Sequence, residues 1–423
     1  MLKVMPQLYN FAAAGLRRPA PPVVNALKKL NNTHMTPAIN EKRMVQLFCD
    51  LAKITSLPAK EGAIARRLSI LLKFMGAEVH IDDAGRRIGG ETGNLIARFP
   101  GTIPCQPLLL CAHMDTVGPA DNVRPQVHKD RVTSDGTTIL GADCKAGIAV
   151  ILEVLKTMEE NHLHRPPIEA VFTVSEEMAL LGAKYLDYGR IKSRYGLIFD
   201  NEQGIEHVIT SAPAADKMDI KVYGAAAHSG VAPEKGISAI KVVSDAVARM
   251  KLGRIDKETT ANIGFINGGN AINIVPPLVE LSGEARSHDP AKLRKQTRHM
   301  EDCLKKAVSR IKVRADGKLV TPRYEFLIEQ KFPNLRIDKD NPVLPLIASA
   351  MREEGLRIKP SASGGGTDSN ILYGHGIKAP VLATGMRDVH TTHEYLDLKD
   401  FFACARLTLR VIEGWTRLGA AKN

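Results

Sequence analysis

The chain has 423 residues, 44% of them apolar, 25% charged and 5% aromatic. That length exceeds one ordinary core and implies two domains. No apolar run reaches the roughly 18 residues that a membrane span needs. The net charge of +12 is not gathered into an aromatic-rich basic module, so neither a membrane nor a nucleic acid is an expected partner.

Part of the charge sits in the first 40 residues, where Lys3, Arg17, Arg18, Lys28 and Lys29 occur without any acid. Residues 1–40 read as a basic tail, disordered or preceding a start at Met35; the alternative is an amphipathic organelle-targeting segment. The cysteines Cys49, Cys105, Cys111, Cys144, Cys303 and Cys404 form no C-x-x-C pair. They suit small buried side chains in a reducing, cytoplasmic setting better than a disulfide scaffold.

Apolar spacing predicts helices over Asn40–Ala52 and Gly62–Met75, then strands at Ala77–Asp82 and Leu95–Phe99. Pro107–Ala112 is a near-continuous apolar run, as expected of a strand buried on both faces. A helix follows at Lys145–Met158, a strand at Glu169–Val174, a helix at Ala179–Tyr188 and a strand at Tyr195–Asp200. Strands alternating with helices imply an α/β domain with a mostly parallel sheet.

Near Pro213 the pattern changes. Lys217–Tyr223 alternates like a half-buried strand. A helix at Gly236–Met250, strands at Ala261–Ile266 and Val279–Ala285, a long helix at Ala291–Ile311 and a strand at Tyr324–Ile328 follow. This α+β grammar places an inserted domain at 213–328, between catalytic segments 41–212 and 329–423. The alternating pattern resumes with a helix at Val343–Glu354, a strand at Val381–Thr384 and a closing helix at Lys399–Thr416.

Chemistry concentrates where apolar runs end. His113 and Asp115 form an H-x-D after one strand; a neutral imidazole there is a good zinc ligand when a carboxylate orients it, and the Asp115 carboxylate is close enough in sequence to do so. A hydrogen-bonded loop explains the same pair. Asp143 in Gly141-Ala-Asp143 can cap the following helix or bridge two metals with its two oxygens. Glu176 and Glu177 follow Ala170–Val174. Two adjacent acids at a buried strand end are costly unless compensated. One suits a metal and the other a general base; solvated acids at a helix start are the plain alternative. Asp200 ends another strand, and His390 and His393 lie in Val389-His-Thr-Thr-His-Glu-Tyr395.

Together these segments resemble the peptidase T-like branch of the dinuclear zinc metallopeptidases related to carboxypeptidase G, aminoacylase and succinyl-diaminopimelate desuccinylase. The resemblance spans roughly residues 40–420. It rests on Ala112-His-Met-Asp-Thr116, Thr138–Gly147, Ser175-Glu-Glu177, Ala227–Gly236, Gly364-Gly-Gly-Thr-Asp368 and His390-Thr-Thr-His-Glu394. It implies a zinc-peptidase catalytic domain with an inserted lid and dimerisation domain. By position it makes His113 and Asp200 ligands of one metal, Glu177 and His390 ligands of the other, and Asp143 the bridge. His390 is preferred to His393 because it stands four residues before Glu394.

The same resemblance makes Glu176 the general base, and Asp115 counts with it through the His113 that it would orient. His228 becomes a lid histidine that reaches the scissile carbonyl, often across a dimer. Asn273 and Arg286 become substrate-gripping residues, and Gly365, Gly366 and Thr367 a pocket loop. The guanidinium fork of Arg286 suits a terminal carboxylate, although a surface strand residue would look the same. The implied cofactors are two Zn²⁺, with Co²⁺ or Mn²⁺ as substitutes. The implied substrate is a short peptide, most directly a tripeptide cut after its N-terminal residue. Relatives with the same metal cage cleave N-acyl amino acids or act as carboxypeptidases, and a non-catalytic binding protein would have broken ligands. One departure stands out. Cys144 replaces the family's usual Asp after the bridging residue, and the Asp143–Cys144 bond is expected to be cis.

Overall fold

Leu108-Leu-Leu-Cys-Ala-His113 forms a strand in which all six residues are buried. It lies within the main sheet of the computed structural model, which describes residues 37–421 with Asp316 excepted. The expectation for the basic tail at 1–40 therefore falls almost wholly outside the described residues. The main sheet runs in the order Glu78–Ile81, Leu95–Phe99, Ile168–Thr173, Leu108–His113, Gly196–Asn201, Val381–Ala383, His207–Ala212 and Leu335–Arg336. The four central strands, from Ile168–Thr173 to Val381–Ala383, are parallel. Antiparallel strands extend both sides, and Lys359–Ala362 pairs in parallel with His207–Ala212.

Both faces of this sheet are covered. Leu109, Cys111, Val171 and Ile198 pack with Leu186, Leu372 and Ile377 on one side. The helix Ala142–Glu160 lies against Leu108–His113 and Gly196–Asn201 on the other, backed by the closing helix Leu398–Ala420. Two-sided burial explains why the central strands read as continuous apolar runs. Gly147 permits the close approach of the long helix, because a Cβ there would stand 2.6 Å from the carbonyl oxygen of Phe199. Asn40 caps the first described helix, Glu41–Ala52, by accepting from the Arg43 N–H at 3.0 Å. Arg43 then ties that helix to buried Glu153 at 2.8 Å.

After Ala212 the chain crosses Pro213 into a second, five-stranded antiparallel sheet. Its order is Gly253–Arg254, Thr259–Gly268, Leu278–Ser287, Ala214–Tyr223 and Arg323–Phe332. Met218, Ile220 and Val222 alternate with Lys217, Asp219 and Lys221, so one face carries the apolar set. The helices Ala239–Arg249 and Pro290–Ser309 cover that face with Val242, Val243, Leu293, Met300 and Leu304. The last strand runs to Phe332, past the expected Ile328, before Leu335–Arg336 rejoins the main sheet beside His207–Ala212. The result is an α/β body with an α+β region inserted in one excursion.

Several elements differ from the periodicity reading. The expected helix Ala179–Tyr188 is a short α-helix, Leu181–Tyr185, followed by a 3₁₀ turn at Tyr188–Arg190. Ala179 and Leu180 adopt positive φ, since the chain is still turning away from Glu176 and Glu177 there. Four short strands, Gln126–Val127, Arg131–Thr133, Met386–Arg387 and Tyr395–Asp397, form a small antiparallel sheet absent from the sequence reading. Two or three residues carry too little periodicity to signal a strand. Among the described residues, no helix is long and apolar enough to cross a membrane.

Candidate active site

Parallel strands deliver their C-terminal ends to one edge of a sheet, and that edge is where open α/β proteins assemble sites. Here Leu108–His113 ends in His113 itself, Ile168–Thr173 leads into Ser175-Glu-Glu177, and Gly196–Asn201 carries Asp200. Val381–Ala383 leads to the Met386–Arg387/Tyr395–Asp397 hairpin, in which His390 adopts φ +64°. The fifth residue arrives from a helix start. Gly141, at φ +77°, opens the Ala142–Glu160 helix, and Asp143 departs from helical geometry. The Asp143–Cys144 peptide is cis.

These ends meet. His113 Nε2 lies 2.9 Å from Asp143 Oδ1 and 3.8 Å from Asp200 Oδ1. His390 Nε2 lies 3.2 Å from the other Asp143 oxygen and 2.9 Å from Glu177 Oε1. One donor atom from each of His113, Asp143, Cys144 and Asp200 falls within 4.8 Å of the others, as does one from each of Asp143, Glu177 and His390. Asp143 belongs to both groups. Glu176, 8% exposed, forms a third group with His113 and Glu177 at the same separation. His393 is exposed, with its main chain turned to Thr391, and it joins none of these groups.

The donor set fits divalent cations. Asp143, Glu176, Glu177 and Asp200 face two imidazoles, and among the described residues no lysine or arginine pairs with any of the four acids. Carboxylate and imidazole sets of this kind suit Zn²⁺ and its first-row neighbours. The electrostatics agree. Burial, followed by the proximity of Asp200, pushes the Glu176 carboxyl well above its usual range. Burial likewise raises Asp200 to about 7. Burial opposes ionisation of Asp143 too, but hydrogen bonds from His113 and His390 outweigh it and hold that carboxyl low. His390 is raised to about 10 by its contacts with Asp143 and then Glu177.

Buried acceptors hold the ligand-bearing turns in place. His113 Nδ1 lies 2.9 Å from the main-chain oxygen of Asp115. Donation there leaves Nε2 free to ligate. The Asp115 carboxylate, 3.5 Å from the ring, instead accepts the N–H groups of Glu176 and Glu177 at 3.0 and 3.1 Å. Ser175, at φ +48°, is fixed by Glu61, which accepts both its N–H and its hydroxyl. Glu394 accepts the N–H groups of Leu140, Gly141 and Asp143. Beside them Lys145 is buried, donates to the Ile54 carbonyl at 2.7 Å, and is pushed down to about 7 by desolvation. Cys144 is fully buried, and its thiol donates to the Phe199 carbonyl.

The inserted region stands differently. His228 is exposed, and its Nδ1 accepts the Gly230 N–H at 3.2 Å. Its segment runs beside that of Asn273: Val275 donates to Ala227, and Ser229 to the Asn273 carbonyl. Neither His228 nor Asn273 has a hydrogen bond to the ligand cluster among the described residues. Arg286 forms a two-pronged pair with Glu284 at 3.1 Å on each prong. It lines a groove with Asn262, Phe265, Lys217, Lys331 and Phe332. The Phe332 ring also lies against Gly366, so the Gly365-Gly366-Thr367 loop abuts the same groove. Thr367 itself caps the Asp368–Gly374 helix by accepting the Ser369 N–H.

Sequence reasoning missed Glu61, and it quoted Lys145 and Asp368 within their motifs without giving either a role. Asp368 is buried, accepts from Thr173 Oγ1, and is raised to about 6 by desolvation. Glu394 was legible only as a landmark of its motif. A buried acid whose partners are main-chain N–H groups from distant segments leaves no local pattern.

Comparison with known proteins agrees with this geometry. Residues 109–414 match the family model described as peptidase family M20/M25/M40. The protein YqjE of Bacillus subtilis is 37% identical over 375 residues, covering 89% of this chain and 99% of its own length. Peptidase T of Escherichia fergusonii is 27% identical over 286 residues, 67% of each chain. Among solved structures, the aminopeptidase PepT of Bacillus cereus superposes with a TM-score of 0.81 at 35% identity, over 89% of this chain and 99% of that one. A tripeptidase of Staphylococcus aureus gives 0.84 at 36%, over 90% and 100%. Strand-end acids and histidines, fold and sequence converge, and the chain belongs to peptidase family M20/M25/M40.

Proposed function

We propose that this peptidase is a dinuclear zinc aminopeptidase that releases the N-terminal residue of tripeptides and other short peptides. The observation that carries the reading is the pair of ligand groups sharing Asp143, with Glu176 against them. His113, Asp143 and Asp200 would hold one cation, and Asp143, Glu177 and His390 the other; Co²⁺ or Mn²⁺ would serve in place of Zn²⁺. A bound metal pair supplies Lewis acidity and lowers the pKa of water. The similarity to the Bacillus cereus aminopeptidase and the Staphylococcus aureus tripeptidase over nearly the whole chain favours short peptides as substrates.

The chain's own groups divide the work. Glu176 takes the proton from the attacking water and passes it to the leaving amine. Asp115 holds Glu176 and Glu177 in register through their main-chain N–H groups. His228 donates to the carbonyl oxygen as negative charge develops there. An exposed His228 reaches that oxygen by closure of the inserted region, or from the second subunit of a homodimer formed through it. Arg286 and Asn273 grip the peptide beyond the scissile bond, alongside Gly365, Gly366 and Thr367. The six cysteines, all free, suit a cytoplasmic setting.

The decisive experiment compares a free tripeptide with its N-acetylated form, using zinc-loaded protein with and without chelator. Cleavage of the free form alone, abolished by chelator, is the expected result. Cleavage of the acetylated form alone would make the protein a deacylase or carboxypeptidase on the same ligands. No cleavage of either would remove the peptidase reading.

A further inference from the structure

We propose that Glu394 is a positioning residue that locks the Asp143 turn to the His390 loop, so that one buried carboxylate sets the spacing of the two halves of the metal centre. The inference rests on reading the ligand cluster as a metal pair. Asp143 and His390 are 247 residues apart, and neither segment is long enough to fix the other by local structure. Glu394 spans them. It sits four residues after His390, and its carboxylate is 1% exposed.

One Glu394 oxygen lies 2.7 Å from the N–H groups of both Leu140 and Gly141, and the other lies 3.1 Å from that of Asp143. The first N–H groups of a helix have no partner within it. Gly141 offers no capping side chain, so these donors depend on an acceptor from elsewhere. Glu394 supplies it, its three N–H bonds opposing the burial that pushes its carboxyl up to about 7. The small sheet carries the brace outward, because Tyr395–Asp397, starting at the next residue, pairs with Arg131–Thr133. Loss of the carboxylate leaves three donors without their acceptor and frees the turn that carries the shared ligand.

Groups that orient ligands typically change metal affinity by about 10–100-fold when removed. The test is calorimetric titration of zinc into metal-free full-length protein, comparing wild type, Glu394→Gln, Glu394→Ala and the control Met300→Ala. Gln keeps one oxygen for Leu140 and Gly141 but presents an N–H to that of Asp143, so about tenfold weaker binding of at least one equivalent is expected, and about 100-fold for Ala. Met300 is fully buried in the inserted core, so its truncation lowers Tm while leaving both affinities within twofold. Glu394 variants within twofold of wild type overturn the proposal, as does equal weakening by Met300→Ala. Should Glu394→Ala fail to fold, Glu394→Gln decides. Wild type that takes up no zinc removes the metal-pair reading itself, and that is visible before any variant is made.

Discussion

The carboxyl edge of the main sheet and the tip of the inserted region each present a histidine, and they treat it in opposite ways. His113 is 2% exposed, with both ring nitrogens engaged and its strand buried along its length. His228 is exposed, its ring holds one local hydrogen bond among the described residues, and Val231, Ile272 and Ile274 are exposed on the two adjoining segments. On the proposed reading His113 is a ligand, and a ligand must be held within fractions of an ångström, which packed strands and satisfied main chain can do. A group that meets substrate on closure must instead be free to move.

Glu176→Gln sharpens this contrast most. It removes the base from the rigid side, and kcat should fall about 10³-fold while zinc content, read by atomic absorption, stays at the wild-type level. Activity within tenfold of wild type would take Glu176 out of that role. His390→Ala and His393→Ala split two histidines of one loop. The first should weaken binding of one zinc equivalent by about 100-fold or more, since a ligand counts at least as much as its supporters. The second should change neither equivalent beyond twofold, and the reverse ranking would reassign the ligand.

On the exposed side, His228→Ala should cost about 10²-fold in kcat with zinc affinity unchanged. A variant that instead loses zinc would place His228 in the rigid centre and break the comparison.

The smallest effect is a pH dependence of the metal-free protein. His390 titrates near 10 in the fold against about 6.5 unfolded. Its contribution is complete below about pH 6.5 and is lost as pH rises toward 10. Asp200, raised to about 7 from about 3.9, has the same sign, and its contribution is lost as pH climbs from about 4 to 7. Asp143, held low, acts in the opposite sense, and only below about pH 4. Lys145, lowered to about 7, adds stability only above that pH, so metal-free Tm should fall from pH 5 to 7, and zinc should reverse the trend. Zinc binding should also release protons, because His390 must be neutral to ligate. A metal-free Tm that rises over this range would contradict the charge balance drawn for the cluster.

The order of elements in the α/β body, and the strand-end acids and histidine that gather at its carboxyl edge, were legible in the chain because each follows from short-range pattern. Apolar runs of five or six residues mark the buried strands, and His113, Glu176, Glu177 and Asp200 lie at their ends. The resemblance then placed Asp143 and chose His390 over His393. What tertiary structure alone decided is the scaffold behind those residues. Asp115 spends its carboxylate on Glu176 and Glu177, Glu61 on Ser175, and Glu394 on the turn before Asp143. Each of these contacts joins segments 60 or more residues apart in sequence. The acceptor is a side chain and the donors are main-chain N–H groups that every residue except proline carries. Such a bond imposes no residue type on one of its ends, so only folding reveals it.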